Sequence, residues 1–271
     1  MTDRYAVVGH PIAHSKSPQI HMAFARQTNE DLAYEAILAP LDGFAAAVTA
    51  FRGEGGRGLN ITLPFKLEAF ALATELTDRA REAGAVNTLR FDGSRALGDN
   101  TDGAGLVADI TMHLGVEVTG KRVLLMGAGG AARGAVGPLL RERPARLVIA
   151  NRTPQKALAL AESFAAQGPV QGGGYDEAVG EPFDIVVNAT SASLAGVVPP
   201  LPRGTFARDA LAYDMVYGER ARSFAESAKA AGAATVADGV GMLVAQAAES
   251  FLLWRGVRPD TTPVIEMLRR S

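Results

Sequence analysis

Short apolar runs alternate with longer amphipathic stretches along this chain, the rhythm of a protein that interleaves strands and helices. Tyr5–Val8, Tyr34–Leu38 and Leu59–Thr62 have the length and side-chain content of strands. Helix-compatible segments follow each of them. Ser17-Pro18 starts one in the favoured way, serine as cap and proline at the first helical position. Asp42 suits the cap of a second that runs through Phe51, and Thr77-Asp78 opens another. An Ala- and Leu-rich helix follows Pro64-Phe65-Lys66. Val86–Phe91 and Arg95–Leu97 flank Asp92-Gly93, which predicts a hairpin. Asn100-Thr101-Asp102-Gly103 then leads into a helix that ends near Leu114.

The second half repeats the alternation with a sharper signal. Val123–Met126 is strand-like, Gly127-Ala128-Gly129-Gly130-Ala131-Ala132 spells GxGxxA, and a helical stretch and a second apolar run, Leu147–Ala150, follow. That is the nucleotide-binding βαβ unit. Gly127 permits the tight turn, Gly129 lets the backbone approach a pyrophosphate, and small Ala132 lets the helix lie on the strand. The helix N-terminus offers its unpaired N–H groups to the phosphates. Where an NAD-binding unit usually carries an acid, this chain has Asn151-Arg152-Thr153, with Lys156 one helical turn on. Two cations and a hydroxyl suit a 2′-phosphate, so NADP is favoured over NAD. Thr153 also suits a helix cap, with Pro154 at the first helical position.

Strands near Val170, at Ile185–Val187, at Leu211–Val216 and at Thr235–Ala237 join the runs at Val123 and Leu147 to make a six-strand dinucleotide domain. Gly172–Gly174 reads as a loop. The helix 240–254, with Leu243, Ala247, Phe251 and Leu252 on one side, comes too late for that domain and is expected to return to the N-terminal one. The expected fold is therefore α/β with two domains and a cleft between them. Residues 1–102 form an N-terminal α/β domain, 103–239 a Rossmann-like doubly wound domain, and 240–271 a C-terminal helical segment packed back on the first.

At 271 residues the chain has ample length for these cores, and a net charge of −2 with acids and bases evenly mixed suggests neither nucleic acid nor a polybasic membrane contact. The absence of cysteine rules out disulfides and thiolate metal sites and fits a reducing cytoplasm. MTDRYAVVGH lacks the apolar core of a signal peptide. The most apolar region, 230–255, is broken by Asp238, Gln246 and Glu249, and so reads as a buried helix rather than a membrane span. His10, His14, His21 and His113 tempt a metal reading. His10 and His14 share a loop with Pro11, however, and no acid accompanies them at ligand spacing, so no metal site is expected.

Taken together, GHPIAHSKSPQIH (9–21), GLNITLPFK (58–66), AGAVNTL (83–89), GDNTDG (98–103), GAGGAARG (127–134), NRT (151–153), NAT (188–190), YDMVY (213–217) and DGVGMLVAQAA (238–248) resemble the shikimate dehydrogenase family, of the bacterial biosynthetic type, over essentially the whole chain. The resemblance implies a shikimate-binding N-terminal domain. It also implies NADP-dependent, reversible reduction of 3-dehydroshikimate to shikimate on the route to aromatic amino acids. It makes Lys66 and Asp102 the catalytic pair. Oxidising a secondary alcohol needs a proton to leave oxygen as hydride leaves carbon. A lysine takes that proton only if its pKa comes down, which burial favours and a neighbouring carboxylate opposes. Whether Lys66 is the acid/base or mainly positions substrate stays open.

By the same resemblance Ser15 and Ser17 bind the substrate carboxylate, with Tyr217 also in reach of it. Asn60, Thr62, Asn87 and Gln246 surround the ring hydroxyls. Asn188, Thr190, Met215, Gly239 and Met242 line the nicotinamide. Singly, each has an ordinary alternative as a strand-end amide, a helix-edge glutamine or a core methionine. The chain departs from the family pattern in three places. Residues 191–196 read SASLAG, residues 218–223 read GERARS, and Lys156 stands where many relatives have arginine. A small-molecule substrate is the expected partner, with no nucleic acid and no membrane. The sequence fixes no oligomeric state and is compatible with a homodimer. A broader quinate/shikimate dehydrogenase with relaxed cofactor use and a non-catalytic ligand-binding homologue remain as alternatives.

Overall fold

The apolar run at Tyr5 forms β1 (Asp3–Gly9), buried from Tyr5 onwards, and one of two six-stranded sheets is built on it. The computed structural model describes residues 2–176, 181–190, 192 and 197–270, and the chain divides into two units, Met1–Gly105 with Val244–Ser271, and Leu106–Leu243.

In the first unit, α1 (Ser17–Thr28) leads to β2 (Leu32–Leu38) and α2 (Phe44–Gly53) to β3 (Gly56–Ile61). Then come α3 (Lys66–Leu72), the short β4 (Glu75–Leu76), α4 (Asp78–Ala83), and the hairpin β5 (Thr88–Asp92) and β6 (Arg95–Asp99). The strand order is β2-β1-β3-β5-β6-β4, with β1 parallel to β2 and β3, and β5 antiparallel to β3 and β6. Gly93 supplies the left-handed residue of the expected hairpin turn, at φ +52°. Ala6, Val8, Phe44, Phe51, Leu59, Ile61 and Phe65 pack on one another in one buried cluster. A separate set of rings gathers around His21, which stacks on Tyr34 with centroids 4.3 Å apart and meets Phe24, Phe251 and Trp254.

Two helix caps differ from the expectation. Lys16, not Ser17, holds the cap position of α1, and Ser17 is its first helical residue. The Ser15 hydroxyl accepts the Ser17 N–H at 3.3 Å, so the capping task falls to a side chain further upstream. Gly43 rather than Asp42 precedes α2. Thr77 caps α4 as expected, its hydroxyl accepting from the Ala80 N–H.

The second unit begins within α5 (Asp102–Ala108), which runs into a π-helical turn at Asp109–His113. Then follow β7 (Arg122–Met126), α6 (Gly130–Arg141), β8 (Arg146–Ala150), α7 (Pro154–Phe164), β9 (Val170–Gly173), β10 (Phe183–Asn188), β11 (Phe206–Asp214), α8 (Arg222–Ala230) and β12 (Thr235–Ala237). All pairs are parallel in the order β12-β11-β10-β7-β8-β9, so the winding reverses at β7. Val123 and Leu125 belong to one buried cluster, Leu124 and Met126 to another, as the strand period of two requires of a sheet covered on both faces.

Gly172 and Gly173 lie on the edge strand β9 and not in the expected loop. A Cβ on Gly172 would come within 2.2 Å of the Ala157 carbonyl oxygen, so the edge strand passes too close to α7 for any side chain. The strand expected at Leu211–Val216 starts earlier, at Phe206, and ends at Asp214. Last come α9 (Val240–Arg255) and α10 (Thr262–Arg269). From Val244 onwards α9 belongs with the first unit. Among the described residues no helix is long and apolar enough to cross a membrane.

Candidate active site

Lys66 is the first residue of α3 and Asp102 the first of α5, so two helix starts bring a cation and a carboxylate together. The Lys66 ammonium donates directly to Asp102 Oδ2, and both side chains keep some solvent access, 27% and 15%. The other carboxylate oxygen, Oδ1, accepts from Asn87 Nδ2 at 2.9 Å, and the Asp102 N–H is held by Asn100 Oδ1 at 3.2 Å. A lysine that makes and breaks a proton contact needs a fixed partner, and here the partner is itself pinned from two sides.

Of the sequence-predicted amides, Asn87 contacts this pair, Gln246 bonds Asn87, and Asn60 lies among the hydroxyls next to them. Asn87 is 2% exposed; besides Asp102 its Nδ2 reaches Thr101 Oγ1 at 2.8 Å and Gln246 Oε1 at 3.3 Å. Gln246 is brought there by the approach of α9 to α5 at Gly105, where a Cβ would lie 2.7 Å from the Gln246 Cβ. Asn60 Nδ2 donates to Thr88 Oγ1 at 3.1 Å and Ser250 Oγ at 2.9 Å, while its Oδ1 accepts from the Tyr34 hydroxyl at 2.7 Å. Burial pushes the Tyr34 phenol well up, against a hydrogen bond with Ser17 that acts the other way. Thr62 stands beside the C-terminal end of β1. Its N–H donates to the Val8 carbonyl, and a Cβ on Gly9 would be 2.4 Å from its methyl group.

Behind the pair lies an ion cluster that the motifs did not announce. Arg79 donates through Nε and Nη2 to the Asp99 carboxylate at 2.7 and 2.5 Å, and through Nη1 to Glu249 at 3.0 Å. Asp99 is 1% exposed and immediately precedes Asn100-Thr101-Asp102. The clamp therefore joins the Asn100–Asp102 turn to the helix that carries Gln246. Tyr34, Thr88, Thr101, Ser250, Arg79 and Asp99 were missed as site residues. Thr88 lies in the motif AGAVNTL, and Asp99 and Thr101 in GDNTDG; Tyr34, Arg79 and Ser250 lie in none of the motifs.

In the second unit, Gly127 adopts φ +112°, and a Cβ there would meet the Ala189 carbonyl at 3.1 Å. Only glycine makes this turn without strain. Beyond it Gly129 and Gly130 have open space where a side chain would be, at the N-terminus of the 12-residue helix α6. Ala128 is half-buried and Ala131 exposed. First-turn N–H groups have no partner within the helix, and they lie beside open space at the point where the winding of the sheet reverses. That space fits a dinucleotide pyrophosphate. At the end of β8, Arg152, Thr153 and Lys156 are exposed, and neither cation has an acidic partner among the described residues. Asn151 Nδ2 donates to the Thr153 carbonyl at 3.0 Å. Thr153 holds the cap position of α7 without a side-chain cap bond, contrary to the cap expected of its hydroxyl.

The proposed nicotinamide residues also meet in this unit. Asn188, fully buried, accepts the Thr190 N–H and hydroxyl at 3.1 and 2.7 Å, and its carbonyl takes the Met215 N–H. A Cβ on Gly239 would be 2.4 Å from the Met215 carbonyl. Met242 is 8% exposed in the first turn of α9. That turn rests on Asp109, whose carboxylate accepts from the Tyr213 hydroxyl at 2.6 Å and contacts His113 Nδ1 at 2.9 Å; Gly241 leaves no room for a Cβ there. Tyr217 follows β11 and is 36% exposed, ahead of a 3-10 turn at Gly218–Ala221 within the atypical GERARS stretch. Of the other atypical stretch, residues 191 and 193–196 lie outside the described residues. Among the remaining histidines, His10 Nδ1 contacts the Ala39 carbonyl at 2.9 Å, and burial pushes His21 down to about 3.

The comparisons with known proteins agree along the chain. Models of the shikimate dehydrogenase substrate binding domain, of shikimate / quinate 5-dehydrogenase and of the shikimate 5'-dehydrogenase C-terminal domain match residues 7–89, 109–198 and 239–269. A shikimate dehydrogenase (NADP(+)) from Nitrosospira multiformis is 62% identical over 271 residues, covering 100% of this chain and 98% of the relative. Among solved structures, the Ael1 enzyme from Pseudomonas putida is 51% identical with a TM-score of 0.93, covering 98% of both chains. A Thermus thermophilus shikimate 5-dehydrogenase, solved with NADP(H) and shikimate, is 36% identical with a TM-score of 0.85, covering 99% of both. A lysine–aspartate pair set in buried amides, a glycine cradle at a sheet reversal, and identity of this extent lead to one conclusion: the chain belongs to the shikimate dehydrogenase family.

Proposed function

We propose that this chain catalyses the NADP-dependent, reversible reduction of 3-dehydroshikimate to shikimate, a step of aromatic amino acid biosynthesis. The observation that carries the reading is the Lys66–Asp102 pair, its carboxylate pinned by Asn87 among hydroxyl and amide groups. Such a set matches a small polyhydroxy acid, because a missing ligand hydroxyl would leave buried amides unpaired.

In the reducing direction, Lys66 Nζ donates to the ketone oxygen, since an ammonium has more donors than the one Asp102 occupies. NADPH, when bound, supplies the hydride that adds to the carbonyl carbon. Lys66 passes its proton to the oxygen as charge develops there, and in the oxidising direction it takes that proton back. Asp102 holds the ammonium in line and accepts a hydrogen bond from a neighbouring ring hydroxyl. Asn60, Thr62, Asn87 and Gln246 fix the other hydroxyls. Ser15 and Ser17 bind the carboxylate through hydroxyl donors, each worth about 1.5–3 kcal/mol to a charged acceptor.

For the cofactor, Gly127, Ala128, Gly129, Gly130 and Ala131 would hold the pyrophosphate, and Asn151, Arg152, Thr153 and Lys156 the 2′-phosphate. Asn188, Thr190, Met215, Gly239 and Met242 would flank the nicotinamide. A lysine at 156 attracts phosphate as a point charge without a planar fork, so Arg152 carries most of the discrimination. Replacing Arg152 by alanine should raise the KM for NADP+ about 10-fold or more, the worth of one charge-assisted contact, and leave NAD+ nearly unchanged. An equal loss for both cofactors contradicts the phosphate assignment. The same reading includes a cytoplasmic setting and is compatible with a homodimer.

A further inference from the structure

Asparagine and glutamine amides can be turned either way round, so their polarity must come from neighbours that are unambiguous donors or acceptors. The Thr101 N–H is one, and it donates to Asn87 Oδ1 at 2.9 Å. Asn87 Nδ2 is thereby turned towards Asp102 and towards Thr101 Oγ1. The Thr101 hydroxyl, accepting there, has Gln246 Oε1 as an acceptor at 3.3 Å. Thr88 donates to the same Asn87 Oδ1 at 2.9 Å, so its oxygen is left to accept. It accepts from Asn60 Nδ2 at 3.1 Å, and the Ser250 hydroxyl lies 2.8 Å away. Ser250 in turn accepts from Asn60 Nδ2 at 2.9 Å, and Tyr34 donates to Asn60 Oδ1 at the far end.

Ser250 is the junction of this circuit. It is fully buried, on the same helix as Gln246, whose carbonyl lies 3.2 Å from its hydroxyl. A buried hydroxyl is costly unless bonded, and alanine would occupy nearly the same space, so packing alone gives no reason for a serine here. We infer that Ser250, with Thr88, is a positioning residue that holds the Asn60 amide, whose Nδ2 also reaches the Asn87 carbonyl at 3.4 Å, in the orientation in which it meets the ring hydroxyls of the substrate. This rests on the proposed function, with Asn60 as a substrate contact.

The test uses Ser250→Ala, with Thr88→Val breaking the same circuit from the other side and Ser250→Thr restoring a hydroxyl. In steady-state assays of shikimate oxidation, Ser250→Ala should raise the KM for shikimate about five- to tenfold, the loss of roughly one net hydrogen bond. The KM for NADP+ should stay unchanged, Thr88→Val should shift the same constant, and Ser250→Thr should recover most of the loss. A second readout is hydrogen exchange of the Asn60 side-chain amide by NMR, which should quicken in Ser250→Ala. An active parent with an unchanged shikimate KM in Ser250→Ala, or with both KM values shifted equally, overturns the inference. A parent that does not oxidise shikimate overturns the functional reading instead. The amide exchange then decides the role of Ser250 by itself, and unchanged exchange refutes it.

Discussion

Lys66→Ala should lower kcat for shikimate oxidation by about 10²–10⁴-fold, the range for a positioned acid/base. Folding should survive, because Lys66 is a partly exposed helix-start residue and Asp102 keeps Asn87 as a donor and its access to water. Binding of NADP+ should not change. Lys66→Arg separates proton transfer from positioning. Arginine keeps the charge and the donor role but does not give up a proton in a protein. The acid/base role predicts that the arginine variant stays nearly as slow as the alanine one, with a shikimate KM closer to the parent's. Near-normal turnover in Lys66→Ala, measured beside an unchanged far-UV spectrum, would remove Lys66 from the chemistry.

Arg79→Ala should be the most damaging change to stability. It leaves Asp99, 1% exposed, without its cation, and breaking a buried pair from one side typically costs about 3–5 kcal/mol. The effect should depend on pH in a defined direction. In the parent, burial pushes the Asp99 carboxyl up, but Arg79, with help from Thr77 and the Asn100 N–H, outweighs it and holds the group below the usual range. A depressed carboxyl contributes stability above its unfolded pKa of about 4, and that contribution is lost as pH falls through the folded value. In the variant the Thr77 hydroxyl and the Asn100 N–H still donate, but without the cation burial outweighs them, so the carboxyl rises and protonates more readily in mild acid. The gap in urea stability between parent and variant should therefore be widest near neutral pH and narrow towards about pH 4. Arg79→Lys, which keeps the charge but loses the fork on Asp99, should fall between them. A gap that is small or constant with pH would mean the clamp carries no such energy.

The parts legible in the sequence were those written locally. The GxGxxA turn, the missing acid after Ala150 and the Asp92-Gly93 hairpin each depend on a few adjacent residues whose backbone demands leave few alternatives. The six strands of the second unit followed from apolar runs at the right spacing, though their order in the sheet did not. What sequence could not reach was side-chain pairing across long separations. Nothing near Ser250 in the chain points to Asn60, and nothing near Arg79 points to Glu249. Glycine misled in the other direction. Glycine is ordinarily depleted in strands, yet Gly172 lies on one because α7 needs the room that a side chain would take. The serine and threonine caps expected at Ser17 and Thr153 failed for a related reason. A capping residue type announces that a helix begins nearby, while the hydroxyl that bonds is decided by the loop path, as Ser15 shows.

The most direct test follows reduced nicotinamide by its absorbance while shikimate and quinate are each paired with NADP+ and NAD+. The account predicts rapid reduction with shikimate and NADP+, and much slower reduction in the three other combinations. Formation of reduced nicotinamide from quinate and NAD+ at a comparable rate would contradict the cofactor and substrate assignment, and none from shikimate with either cofactor would contradict the function itself.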